Sequence, residues 1–209
     1  MEDPFAGLGM RVELVSTDKY FRDVSIALYA QENADSWCFL VRSFSSYDGI
    51  KARIAFILDA MQTLGGMETA GEDRLRFPCG TQHLVAVRRL FLQACKAKPD
   101  AAAQQLPLSL WDKKSELTVT AEARGAGAYI LSADGDSGGR LMALRNAMIK
   151  LADVETDEVV GEQFCFACGH DHHALVGLLL QSAPNVRAVM REFEMNAAKG
   201  VLLAPGSQK

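Results

Sequence analysis

The chain has no long apolar run. Its longest clean stretch, Ala174 to Leu180, is far too short to cross a bilayer, so no membrane association is expected. It has no basic excess either. Twenty-two Lys and Arg against 26 Asp and Glu give a net charge of −4, which argues against nucleic-acid binding driven by phosphates. Only two tryptophans occur. Trp37 and Trp111 read as core or hairpin residues, too few for a stacking platform. No Gly-x-x-x-x-Gly-Lys-Ser/Thr phosphate loop is present, which excludes that class of nucleoside triphosphatase. Met-Glu-Asp-Pro-Phe at the start is acidic and lacks the layout of a secretory signal, so a cytoplasmic location is expected. The five cysteines (Cys38, Cys79, Cys95, Cys165 and Cys168) are odd in number, which fits reduced thiols.

The composition that remains is ordinary for a globular protein, with 49% apolar and 23% charged residues. Within its 209 residues one pattern occurs twice. Phe77-Pro78-Cys79-Gly80-Thr81-Gln82-His83 lies over Phe166-Ala167-Cys168-Gly169-His170-Asp171-His172 at an offset of 89, and Val87 and Leu90 continue onto Val176 and Leu179. That makes six identities in fourteen positions. Upstream, Ile54, Ile57, Ala60, Met61 and Leu64 align with Leu141, Leu144, Ala147, Met148 and Leu151 at an offset of 87. Val24, Ile26, Leu28 and Ala30 align with Leu117, Val119, Ala121 and Ala123 at 93. Small insertions account for the drift. The reading is an internal duplication.

Periodicity gives each unit its elements. Val24 to Leu28 alternates as a half-buried strand, and Trp37 to Phe44 is rich in strand formers. Ile50, Ile54, Ile57, Met61 and Leu64 share a helical face that Gly65-Gly66 ends. Arg74 to Cys79 is a short extended segment, and Leu84, Val87, Phe91 and Ala94 form a second helical face, with Arg88 and Arg89 on its solvated side. The second unit repeats the order with a hairpin turning at Gly125 to Gly127, a helix over Gly139 to Leu151, a strand over Gln163 to Cys168 and a helix over His172 to Gln181. A final amphipathic helix follows Pro184, with Val186, Met190 and Phe193 inward. Met10 to Ser16 and Leu106 to Trp111 are expected to add a strand to each unit. The expected fold is α+β: two tandem β(β)βαβα repeats about a pseudo-two-fold, with helices packed on one face of mixed sheets. The repeats span residues 1–98 and 106–209, joined by a soft linker over 99–105.

Chemistry concentrates in Cys165-Phe166-Ala167-Cys168-Gly169-His170-Asp171-His172-His173, which holds three of the four histidines. It lies between a strand end and a helix start, where free backbone amides favour an anionic or small-molecule ligand. Gly169 after Cys168 excludes a c-type haem site. Cys165 and Cys168, three apart on a strand, would point to opposite faces and not share a metal. Two metal sets are open. In one, Cys79, His83, Cys168 and His172 meet across the pseudo-axis as a Cys₂His₂ zinc site. In the other, Asp134 and Asp136 join His170, Asp171, His172 and His173 around Mn²⁺ or Mg²⁺, if the strands before the two loops are parallel neighbours. Over about 50 residues this second set resembles the DHH phosphoesterases. Asp134-Gly135-Asp136 with Leu141 to Leu144 is similar to their first aspartate motif, and Asp171-His172-His173 to their name-giving motif. The resemblance implies metal-dependent hydrolysis, although the two motifs stand closer than in that family. Cys168 at a helix start is also a candidate low-pKa thiolate.

Two function classes follow. One is a non-catalytic binding or assembly module, forming a homo-oligomer, with its locus at the second unit's histidine turn. The other is a phosphoesterase-like hydrolase using the aspartate and histidine loops. The excess of polar residues in the second copy is the feature that discriminates between them.

Overall fold

The structure, a computed structural model, describes residues 10–18, 24–34, 36–43, 48–98, 103–152 and 162–203. Three strands, β1 (Met10–Asp18), β2 (Val24–Glu32) and β3 (Trp37–Ser43), lead into α1 (Ile50–Gly65). Then come β4 (Glu68–Thr69), β5 (Arg74–Arg76) and α2 (Leu84–Lys96). The second half runs β6 (Ser109–Asp112), β7 (Leu117–Gly125), β8 (Ala128–Ala133), α3 (Arg140–Ala152), β9 (Gln163–Cys165) and α4 (His173–Ser182). A 3-10 turn at Ala183–Asn185 feeds α5 (Val186–Leu203), so Pro184 lies in that turn, before the helix begins. Among the described residues no helix is long and apolar enough to cross a membrane. The expected linker, 99–105, lies partly outside the described residues.

Two sheets form, ordered β1-β2-β3-β5-β4 and β6-β7-β8-β9. Both are antiparallel throughout, which corrects the mixed sheets expected from sequence. The reason is visible in the first half. A strand, one helix and a second strand would give a parallel pair. Here β4 pairs with β5 (Glu68↔Arg76) and adds one more reversal, so β5 runs against β3.

Alternation along β2 and β3 decides what each sheet face meets. Ile26, Leu28, Ala30, Phe39 and Val41 enter the large core with the helices. Val15, Ala27, Tyr29 and Leu40 form a small cluster on the other face. In the second sheet Val119, Ala121, Tyr129, Leu131 and Phe164 face the same large core. That core is continuous across both halves. Helix α1 packs on α2 and α4, and α3 packs on α2, α4 and α5. Arg89 lies at this junction: its Nε donates to Ser182 Oγ at 3.2 Å, so it is not the purely solvated residue its helix position suggested. Trp111, expected in the core or a hairpin, stands outward on strand β6.

Candidate metal centre between the halves

Each half places a five-residue turn, Cys-Gly-x-x-His, between a short strand and a helix. In the first, the Gly80 amide donates to the Phe77 carbonyl at 2.9 Å; in the second, the Gly169 amide donates to the Phe166 carbonyl at 2.9 Å. Both glycines hold left-handed backbone (φ 74° and 69°), which is why glycine follows the cysteine in each turn. The second strand is shorter than its sequence suggests. It ends at Cys165, so Phe166 to Cys168 is turn, and the opposite-faces argument for Cys165 and Cys168 does not apply. Cys165 is nevertheless outside the cluster described next.

One side-chain ligand atom from each of Cys79, His83, Cys168 and His172 lies within 4.8 Å of the other three. Cys79 Sγ stands 3.3 Å from His83 Nε2, and Cys168 Sγ 3.2 Å from His172 Nε2. A zinc tetrahedron with Zn–S of ~2.3 Å and Zn–N of ~2.0–2.1 Å has ligand–ligand edges of roughly 3.3–3.8 Å. The two observed edges match that scale, and the donors are the N/S set that zinc prefers. The remaining edges are no longer than 4.8 Å.

Both imidazoles are buried and the thiols are half-buried. The two rings meet edge to face with centroids 4.8 Å apart. Phe77 and Phe166, themselves buried, wall the pair, and each phenyl contacts both imidazoles. Although His83 and His172 occupy the residue before their helices, neither side chain caps its helix. The rings turn instead to the thiols. His83 does so in left-handed backbone (φ 38°), a conformation that costs a non-glycine residue on the order of 1 kcal/mol.

Burial, then the charge of His83, pushes the His172 pKa down to about 4, so this ring is neutral near pH 7 and its nitrogens are available to a metal. Burial pushes the Cys168 thiol up, which overturns the expectation of a low-pKa nucleophile there. Without a nearby cation, a desolvated thiolate is disfavoured whatever the helix start supplies.

The second metal set does not assemble. Strand β9 runs antiparallel to β8, with Ala128 opposite Cys165. The histidine turn therefore lies at the start of β8, where the Phe166 amide donates to the Gly127 carbonyl at 3.0 Å. Asp134 and Asp136 follow the other end of β8. Six residues at ~3.3 Å each place the two loops on the order of 20 Å apart. The parallel arrangement that would have joined Asp134 and Asp136 to His170, Asp171, His172 and His173 is absent. Asp136 serves its own turn, and Asp134 reaches across to strand β7. Asp134 Oδ1 accepts from the Thr118 amide at 2.9 Å, and Asp136 Oδ1 from the Gly138 amide at 3.0 Å.

The polar excess of the second half has a structural use. Asp171 Oδ1 accepts from the Gly127 amide at 2.9 Å, tying the turn to the β7–β8 hairpin tip. His170 Nδ1 donates to the Cys168 carbonyl at 2.8 Å. Tyr129 Oη accepts the His172 amide at 2.8 Å and shares a hydrogen bond with His173 Nδ1 at 3.0 Å. Burial raises the Tyr129 hydroxyl to about 12, so it keeps its proton at neutral pH. Sequence reasoning missed Tyr129, which reads only as a strand former. Gly127 is a further requirement. A Cβ there would meet the His170 carbonyl oxygen at 3.0 Å and that of Phe166 at 3.1 Å. Beside the cluster is a cleft of about 270 Å³, lined in part by Pro78, Gln105, His170 and His172. No family model matches this chain, and no curated protein or solved structure shows a significant likeness to it.

Proposed function

We propose that the protein is a non-catalytic binding and assembly module, built by duplication of one β(β)βαβα unit and clamped at its pseudo-two-fold by one zinc ion. The observation that carries this reading is the convergence of Cys79, His83, Cys168 and His172, two from each half, on one point. The matching order of β1-β2-β3-β5 and β6-β7-β8-β9 supports the duplication, as do the paired turns around Gly80 and Gly169. So does register: Leu75 pairs with Phe39 as Phe164 pairs with Tyr129.

Four protein ligands fill a zinc tetrahedron and leave no position for water or substrate, which is the pattern of a structural rather than a catalytic site. When bound, zinc would cross-link two turns that are 89 residues apart. The phenyl walls keep water from competing for it, and the Asp171 and Tyr129 hydrogen bonds fix the second turn in place. The adjacent cleft is where this reading puts a small or anionic ligand.

The test is metal content by mass spectrometry on untagged protein purified without chelator. One zinc per chain is expected. Protein that contains no zinc and takes none up on titration overturns the reading.

A further inference from the structure

We propose that Cys79 and Cys168 form a peroxide-sensitive modification site, in which oxidation joins the two halves by a disulfide and expels the metal. The proposal deepens the zinc reading above and rests on it for the metal-release step. The two sulfurs lie within 4.8 Å of one another and come from different halves. A disulfide needs ~2.05 Å, so each sulfur must move by roughly 1.4 Å. Both cysteines sit on turns next to a left-handed glycine rather than inside a strand, and χ1 rotation there breaks no ladder hydrogen bond. Both are also half-buried, whereas Cys38 and Cys95 are buried. Partial exposure of both thiols leaves them open to a small oxidant, and Pro78 and His172, which adjoin them, line a neighbouring cleft.

The chemistry balances with hydrogen peroxide as oxidant. One zinc-bound thiolate attacks peroxide, the O–O bond breaks, and sulfenic acid and hydroxide form. The second thiolate attacks that sulfur and displaces a second hydroxide, forming the S–S bond. Two thiolates lose two electrons, peroxide gains them, and Zn²⁺ leaves because two of its four ligands are gone. His83 and His172 alone do not retain it.

The experiment treats zinc-loaded, full-length protein with hydrogen peroxide. Zinc release is followed with a chromogenic chelator, and the thiols by non-reducing peptide mapping. The expected result is one zinc released per Cys79–Cys168 disulfide, reversed by dithiothreitol plus zinc. Cys165→Ser should leave the linkage intact, and Cys79→Ser should abolish it. Zinc kept under peroxide, or zinc lost with the two cysteines unlinked, overturns the proposal. A chain that never binds zinc defeats the zinc reading separately. The same peptide map on that metal-free protein then decides the disulfide, with linkage supporting it and free thiols overturning it.

Discussion

The imidazoles of His83 and His172 meet edge to face, with ring centroids 4.8 Å apart, although 89 residues separate them in the chain. Each also stands within 3.3 Å of the cysteine four residues before it. One pair alone is a common turn. Two pairs facing each other make a four-donor site, and its consequences can be measured.

Removing one donor should remove the metal. His172→Ala is expected to lower bound zinc from one per chain to well below half. It should also reduce the melting temperature by roughly 10 °C, as a loss of ~3 kcal/mol or more implies for a chain of this size. Asp134→Asn and Asp136→Asn should leave zinc content unchanged, because both carboxylates sit at the far end of β8. A drop in metal content with the aspartate variants would restore the hydrolase arrangement.

Metal-free protein should lose stability on mild acidification. With the folded His172 pKa near 4 and an unfolded value near 6.5, the unfolded chain binds the extra proton first. The contribution is therefore fully present above pH 6.5 and is lost as pH falls toward 4, up to ~3 kcal/mol. Urea denaturation between pH 7.5 and 4 would show this slope, and His172→Gln should flatten it. A flat profile for the unsubstituted chain would mean that the ring is not held neutral by burial.

Tyr129→Phe keeps the ring and deletes the hydroxyl that accepts from the His172 amide and shares a hydrogen bond with His173. A buried amide left without a partner costs about 1–2 kcal/mol. The turn that carries two of the four ligands should also loosen. Zinc affinity is expected to fall about tenfold, within the range for groups that orient ligands. Competitive chelator titration measures it.

Asp112 and Arg140 form a two-pronged ion pair, at 2.7 Å for each bond, that ties β6 to the start of α3. The guanidinium holds the Asp112 carboxyl far below the usual carboxylate range. Asp112→Ala should destabilise by ~3 kcal/mol, because the partly buried cation is left without its counter-charge. Chemical denaturation at neutral pH reads this directly. The contribution is present above the ordinary aspartate pKa and fades only below it, apart from the histidine window.

Gly177→Ala places a Cβ 2.2 Å from the Leu106 carbonyl oxygen. Backbone cannot yield as a flexible side chain can, so a loss of ~2 kcal/mol or more is expected despite the better helix propensity of alanine. An unchanged melting temperature would show that the segment before β6 does not rest on α4.

Much of this was legible in the chain. Val24 to Leu28 forms β2 as expected, although Ile26 to Ala30 are buried on both faces and not on one. The face of Ile50, Ile57, Met61 and Leu64 is the buried face of α1, with Arg53 added to it. The recurring Cys-Gly-x-x-His named the four donors, because the same short pattern stands at both turns. Strand direction was not legible. The period of a strand says which side chains share a face, not which way the chain runs beside its neighbour. For that reason the parallel pairing of the two loops failed, and Asp134 and Asp136 fell away from the histidines. The role of Tyr129 was hidden for a related reason: its hydroxyl acts on residues 43 and 44 positions away.

The sequence by itself determined the local elements, the repeat and the chemical types of the candidate ligands, because each depends on neighbours within a few residues. Only the tertiary structure decided which ligands share a point. Antiparallel pairing of β9 with β8, a core continuous across both halves and the burial of Phe77 and Phe166 are long-range outcomes. They bring two ordinary turns face to face and leave Asp134 bonded to β7 and Asp136 to its own turn.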